Sequence, residues 1–394
     1  MDITREILYP VVLKGQIDGW PAKSWSPHSL AEDLADMKLQ FRVGPKSLYK
    51  EVIWEGDCKY IEATLQDFIE WTDNQNISEN NPLFKTDHEN YWLYADYKYM
   101  ATQFKDKPSM ISAVDWSVFG LEGRDGTQST FWLGSVGAHT PCHQDSYGCN
   151  LVAQIYGRKR WILFPPSDRN CLYPTRIPYE ESSVFSQVNL AMPDLQKHSK
   201  LKDASPYMVI LEPGDVLYVP HHWWHFVESL ETSISINSWL ELPCDHEMRV
   251  QEALTRTVMC SLMSTFSPED TSWLNPTEEL STPDMNLNYI SQASQVFMQH
   301  NLSQPQSKTR KRGKIDICEQ GAAQTSLSDS SGVICVDDPG PCRKKRTPNE
   351  SLQTVTEVNS DGESGDNKTK LSEPASTSRH QVLSDFPAIK QTQI

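Results

Sequence analysis

His139-Thr-Pro-Cys-His143-Gln-Asp145-Ser-Tyr-Gly-Cys-Asn150 runs directly into Leu-Val-Ala-Gln-Ile-Tyr-Gly157-Arg-Lys159-Arg-Trp-Ile-Leu-Phe-Pro-Pro166, and the reading of this stretch decides the fold. His143 and Asp145 are two positions apart. On a strand both side chains leave the same face, with Cα atoms ~6.6 Å apart. Imidazole and carboxylate together suit iron, manganese or zinc, and two His with one carboxylate is the donor set of non-haem Fe(II) oxygenases. With 11 His and 52 acidic residues in the chain, about 1.5 His-x-acid spacings arise by chance, so the pair gains meaning only from its context.

Outward from this stretch the pattern is that of short strands. Phe131 to Gly137 leads into it, and Gly157 reads as a hairpin turn that sends Arg158 to Phe164 back. Glu212-Pro-Gly214-Asp215-Val-Leu-Tyr-Val-Pro220 is a tight turn feeding a strand, followed by His221-His222-Trp-Trp-His225. Ser233-Ile-Ser-Ile-Asn237-Ser-Trp239-Leu alternates, with Ile234 and Ile236 on one face and Ser233, Ser235, Asn237 and Trp239 on the other. The small polar face requires a polar cavity. Short strands without a βαβ rhythm predict a mainly β protein, a double-stranded β-helix or jelly roll of the kind found in cupins.

Helices flank this core. Ser26 to Asp36 reads as a capped helix with Leu30, Leu34 and Met37 on one stripe, and His28 in its first turn as solvated. Thr64 to Trp71 is a second amphipathic helix, His246 to Met263 a third and Asn288 to His300 a fourth. The last two cover a sheet or pair with another copy, which makes a homodimer one of two readings. Tyr9 to Leu13 and Leu39 to Arg42 read as strands, and the aromatic run Tyr91 to Tyr99 as a core-filling strand. Residues 167–207, rich in Pro, Tyr and Ser, read as a long loop suited to facing a substrate.

Of 38 Phe, Tyr and Trp residues only Phe386 lies beyond position 300. This predicts a disordered tail over 301–394 behind three folded segments: 1–120 in support, the core at 121–245 and C-terminal helices at 246–300. The first 300 residues carry about −17 of the net −16, which disfavours nucleic acid held through its phosphates. The tail's basic clusters, Lys308 to Lys314 and Arg343 to Arg346, read equally as import signals or solvated charge. Val333 to Asp338 reads as an edge that adds a strand to a partner. Nine cysteines without a Cys-x-x-Cys pair indicate reduced thiols, and no apolar run reaches membrane length, so no membrane partner is expected. The expected location is cytoplasmic, with the nucleus open.

On a jelly roll, His143 and Asp145 on one strand and His225 at the start of another close a triad around Fe(II). His221 shares the strand parity of His225, and parity alone does not choose between them. Lys159, alternating with Trp161 and Leu163, is placed to be buried and to meet the far carboxylate of a dicarboxylate co-substrate.

His143-Gln-Asp145, Gly157 to Pro166, Gly214 to Pro220 with His225, and Asn237-Ser-Trp239 together resemble a JmjC domain of the 2-oxoglutarate oxygenase superfamily, over about residues 9–300. The subgroup resembled is that of the JmjC-only hydroxylases. Trp92 to Tyr99 and Tyr173 to Glu181 resemble members tied to a small heat-shock protein, which the resemblance implies as partner. It further implies iron at His143, Asp145 and His225, and 2-oxoglutarate held by Lys159 with Thr140 and Tyr94 and lined by Asn150 and Asn237. One residue more than in the asparaginyl hydroxylase pattern lies between Asp145 and Lys159, so Tyr147 and Cys149 compete with Asn150. The implied activity is hydroxylation of a protein side chain. A non-catalytic scaffold, an RNA hydroxylase and a lysine demethylase stand as alternatives.

Overall fold

Alternating apolar and polar positions produce fourteen strands among the described residues of the computed structural model, which are 7–46, 50–73, 77–175, 183–263, 265 and 281–303. The expectations for the tail, its basic clusters and Val333 to Asp338, and for residues 176–182, lie outside them. In chain order the strands are β1 (Val11–Lys14), β2 (Lys38–Pro45), β3 (Lys59–Thr64), β4 (Tyr91–Tyr99), β5 (Thr130–Gly134), β6 (His139–Asp145) and β7 (Cys149–Tyr156). There follow β8 (Lys159–Phe164), β9 (Pro174–Thr175), β10 (Ser183–Ser186), β11 (Tyr207–Leu211), β12 (Asp215–Val219), β13 (Trp224–Ser229) and β14 (Ser233–Leu240). They pair antiparallel in two sheets, of order β1-β12-β7-β14-β5-β4-β2-β3 and β11-β8-β13-β6-β10-β9. The expected jelly roll is present. Strands β2, β3 and β4 of the N-terminal segment extend its larger sheet.

Period-two alternation sorts each strand of the larger sheet into two environments. On β7 and β14, Leu151, Ala153, Ile155, Ile234 and Ile236 enter the main core. There they meet α1 (Pro27–Leu34) and α2 (Leu65–Asp73), through Leu30, Leu34, Phe68 and Trp71. Both helices begin as their sequences prescribe. Ser26 and Ser29 form a reciprocal capping box, and Thr64 and Asp67 exchange the same pair of bonds at the start of α2. His28 is exposed. On the opposite face, Val152, Trp161, Leu163, Leu217, Val219 and Val227 from both sheets form a smaller apolar cluster beside the cavity.

The Gly157 turn is not a hairpin. β7 belongs to the larger sheet and β8 to the smaller, where it pairs with β11 and β13. Gly157 is therefore the corner at which the chain changes sheets. Its φ is +61°, and a Cβ there would lie 2.1 Å from the Thr232 carbonyl oxygen, so glycine is required.

Residues 167–207 also differ from a plain loop. They contain helical turns at Pro166–Cys171 and Ser199–Asp203 and the short strands β9 and β10. Leu172, Val188, Leu190 and Leu201 pack with Ile162, Phe164 and Phe226, on side chains of β8 and β13 that point away from Trp161, Leu163 and Val227. Most of its described residues thus cover the outside of the smaller sheet, and β10 reaches the site through Ser183 and Phe185.

The chain after β14 forms α3 (Asp245–Met263) and α4 (Pro283–Ser303). The helix expected at Asn288 starts earlier, at Pro283, where proline suits the first turn. No helix of the described residues is long and apolar enough to cross a membrane.

Candidate active site

Register places the three predicted metal ligands together. β6 and β13 are neighbours in the smaller sheet and His143 is the direct Cα partner of His225. Their rings lie 4.1 Å apart between centroids. The His143 Nε2 is 3.6 Å from Asp145 Oδ1, and one donor atom from each of the three residues falls within 4.8 Å of the others.

Each imidazole is oriented from behind. His143 Nδ1 lies 2.9 Å from the Pro141 carbonyl oxygen and His225 Nδ1 lies 3.0 Å from that of Trp223. A carbonyl only accepts, so both Nδ1 atoms carry hydrogen and both Nε2 lone pairs are left for a cation. Burial and the neighbouring His143 push His225 down to about 4, so it is neutral at pH 7. The Trp239 indole N–H donates to Asp145 Oδ2 at 3.0 Å, leaving Oδ1 turned to the imidazoles. This donor set fits a divalent transition metal with a carboxylate and two imidazoles, which is the pattern of Fe(II) oxygenases.

The group opens on a cavity of about 470 Å³ whose wall also includes Lys159, Thr140, Tyr94, Asn150 and Asn237. All eight residues singled out from the sequence therefore share one cavity. Lys159 is 2 % exposed. Its ammonium donates to Ser235 Oγ at 2.8 Å and to the Tyr94 hydroxyl at 3.3 Å, and no carboxylate among the described residues forms an ion pair with it. Burial pulls it down to about 7, against the opposing charge of Asp96. Tyr94 also bonds to the Thr140 side chain, and burial first of all holds its phenol far above the usual range.

Thr140 and His143 are three apart and would face opposite sides of a regular strand. The pairing of β6 with β13 slips between His143 and Thr140, with Pro141 and Cys142 opposite Phe226 alone. This bulge resets the parity, which is also where a strand tolerates proline. Asn150, not Cys149, faces the cavity. The Asn237 Nδ2 donates to Asn150 Oδ1 at 2.8 Å, and the Trp132 indole holds Asn237 Oδ1 at 2.7 Å. Cys149 points into the main core and Tyr147 lies at the cavity wall beneath the Arg249 guanidinium.

Several supporting residues were not anticipated from the sequence. Ser235 and Trp239 stand on the polar face of β14 recognised there, but their hydrogen bonds to Lys159 and Asp145 were not foreseen. Behind Tyr94, a buried Arg42 bonds Asp96 at 2.6 Å and donates to the His139 carbonyl at 3.2 Å, with its guanidinium over the Tyr94 ring. Tyr97 adopts a positive φ of 50° where β4 slips in register against β5, and it reaches the same cavity. No periodicity in the sequence marks a bulge, so these two were hidden.

His221 does not join the centre. It bonds the Gly148 carbonyl at 2.9 Å and lies near Cys244 and Asp245 in a second group of potential donors. Both Asp245 oxygens already accept backbone N–H groups, from Gly148 at 3.0 Å and Leu242 at 2.8 Å. That carboxylate fixes the start of α3 against the turn after β6.

Comparison with known proteins agrees with the fold. The profile of a cupin-like domain matches residues 7–246. HSPB1-associated protein 1 of Bos taurus is 48 % identical over 294 residues, covering 74 % of this chain and 60 % of that protein. Its homolog from Danio rerio is 46 % identical over 335 residues, covering 84 % and 72 %. Lysine-specific demethylase 8 of Xenopus tropicalis is more distant, 28 % identical over 234 residues, covering 58 % and 47 %. The chain spans about three fifths of the length of the mammalian relatives it matches.

Proposed function

The chain belongs to the cupin-like, JmjC-type domain family, and we propose that it is an Fe(II)- and 2-oxoglutarate-dependent oxygenase that hydroxylates a protein side chain. One observation carries the reading: a single cavity holds both a convergent His-Asp-His donor set and a buried lysine without a carboxylate partner. A buried lysine with no ion-pair partner is costly to hold charged, and an anion in the cavity offsets that cost.

Fe(II) bound by His143, Asp145 and His225, with 2-oxoglutarate as co-substrate, supplies the oxidation that puts one atom of O2 into a C–H bond and the other into succinate as CO2 leaves. The rest is the work of the chain. Lys159 binds the far carboxylate of 2-oxoglutarate, aided by the Tyr94 and Thr140 hydroxyls. The Trp132–Asn237–Asn150 hydrogen-bond chain lines the same pocket with fixed amide orientations. Trp161, Val152 and Val227 keep the adjoining wall apolar and limit water. Tyr99, which is exposed, and the half-buried Tyr147 and Arg249 also line the cavity and are the candidate contacts of the prime substrate.

The name of the HSPB1-associated relatives supports a small heat-shock protein as the client. The decisive experiment incubates Fe(II)-loaded protein with 2-oxoglutarate and HSPB1, measuring succinate and the mass of the client. Succinate with a client mass gain of one oxygen is expected, and His143→Ala abolishes both while preserving client binding. Loss of a methylene from the client instead makes the activity N-demethylation. Client binding with no succinate, unchanged by His143→Ala, makes the protein a scaffold and defeats the enzyme reading.

A further inference from the structure

Beside the His-Asp-His centre, the described residues bring a histidine, a thiol and a carboxylate together at one other place. His221, Cys244 and Asp245 each offer a donor atom, and the three atoms lie within 4.8 Å of one another. They come from separate parts of the chain. His221 belongs to the turn between β12 and β13, and Cys244 and Asp245 to the junction of β14 with α3.

His221 is presented as the two imidazoles of the centre are. Its Nδ1 lies 2.9 Å from the Gly148 carbonyl oxygen. A carbonyl only accepts, so Nδ1 carries the hydrogen and the Nε2 lone pair is left for a cation. The backbone that supplies this carbonyl is closely held, since Gly148 has a φ of +69° and a Cβ there would meet the Leu240 carbonyl oxygen at 2.5 Å. The His222 ring stacks on that of His221 with 3.6 Å between centroids.

Asp245 is 1 % exposed, and no lysine or arginine among the described residues forms an ion pair with it. Its oxygens accept one backbone N–H each, from Gly148 and Leu242. An ionised carboxylate has about four lone-pair sites, so both oxygens keep acceptor capacity. A buried carboxylate with no cation beside it is costly to hold charged, and a dication offsets that cost. Cys244 is exposed, with Sγ 4.0 Å from Asp245 Oδ1. At ~2.3 Å for Zn–S and ~2.0–2.2 Å for Zn–N and Zn–O, tetrahedral donors stand about 3.3–3.7 Å apart. Rotation of the exposed Cys244 side chain supplies the closure of about an ångström that this requires.

We infer that His221, Cys244 and Asp245 form a second metal site, one that takes zinc with water in the fourth position. The thiolate makes the choice of metal. Nitrogen and oxygen donors alone suit the iron centre, whereas a sulfur ligand in a tetrahedral set selects zinc. Burial and the neighbouring Asp245 push the Cys244 thiol up, so it enters as a thiol and releases its proton to solvent as the bond to zinc forms. The ion ties three segments that meet at the rim of the cavity: the turn after Asp145, the turn that leads to His225, and the start of the helix that carries Arg249. Its role is to brace that rim. The inference is independent of the oxygenase reading, since it uses none of the iron ligands.

Co(II) added to chelator-treated full chain, kept reduced, tests it. The wild type is expected to show the near-ultraviolet charge-transfer band of a cobalt–thiolate bond, which the His-Asp-His centre has no sulfur to produce. Cys244→Ser loses the band, His221→Ala weakens cobalt binding at this site at least ~10-fold, and His143→Ala keeps the band in full. Zinc should raise the melting temperature of His143→Ala and leave that of His143→Ala/Cys244→Ser unchanged. Absence of the band from the wild type overturns the inference. So does a band that survives in Cys244→Ser, or one that appears only at millimolar cobalt, which marks an adventitious ion only. Should Cys244→Ser fold poorly, the band in His221→Ala decides, and a band at undiminished affinity there overturns the inference equally.

Discussion

Lys159 Nζ lies 2.8 Å from Ser235 Oγ, a cation in the cavity wall answered by a hydroxyl where an ion pair would be expected. The arrangement trades stability for binding. Replacing Lys159 by Met removes a buried charge at similar volume, and the expected gain is about 1–4 kcal/mol, or a few degrees in Tm. The sign depends on pH. Because the folded pKa is pulled down to about 7, the unfolded chain binds more protons between that value and its own, and the wild type gains stability as pH rises through this window. The advantage of Lys159→Met is therefore greatest near pH 7 and below and shrinks above it. Calorimetric melting of the two proteins across pH checks both statements, and a destabilised Lys159→Met would contradict them.

The same lysine should make co-substrate binding consume protons. A carboxylate beside Lys159 raises its pKa again, so above pH 7 binding draws a proton from solution. The affinity of the Mn(II)-loaded protein for 2-oxoglutarate is expected to fall up to ~10-fold per pH unit above the free pKa and to level off below it. Titration calorimetry in buffers of different ionisation enthalpy measures the proton uptake directly. An affinity indifferent to pH would place the distal carboxylate elsewhere.

Trp239 orients Asp145 through one hydrogen bond of 3.0 Å. Trp239→Phe keeps the ring and deletes the donor, freeing the carboxylate to turn from the imidazoles. Loss of such an outer contact costs roughly 10–100-fold in metal affinity. A Co(II) absorbance titration reads this without turnover, and an unchanged titration would show that Asp145 is held by other means.

Much of this site was legible because strand alternation is a local property. The polar face of β14 announced a polar cavity, and His143, Asp145 and Lys159 were placed by the same logic. Of Tyr147, Cys149 and Asn150, pairing turns only Cys149 away, since Cys149 and Asn150 take opposite faces of β7, while Tyr147 and Asn150 both line the cavity. What sequence could not show were departures from alternation. The slip at Pro141 that turns Thr140 inward depends on how β6 meets β13, and the buried Arg42–Asp96 pair joins positions 54 residues apart. Apolar stripes likewise revealed α3 and α4 but not which of their apolar side chains are exposed.

The misread hairpin at Gly157 gives the sharpest test of the fold. A glycine with positive φ reads alike in sequence whether it closes a hairpin or moves the chain between sheets, because both need the same backbone freedom. The surroundings differ. A Cβ at Gly157 meets the Thr232 carbonyl oxygen at 2.1 Å, whereas at Gly123, with φ of +73°, nothing lies within 4 Å. Gly123→Ala should therefore cost only the conformational strain of about 1 kcal/mol, and Gly157→Ala distinctly more, about 3 kcal/mol or above, since backbone must also shift. Because β8 begins two residues later with Lys159, Gly157→Ala should also weaken 2-oxoglutarate binding, which Gly123→Ala leaves intact. Equal losses of Tm in the two variants would show that the corner is not the tight sheet-to-sheet crossing the geometry describes.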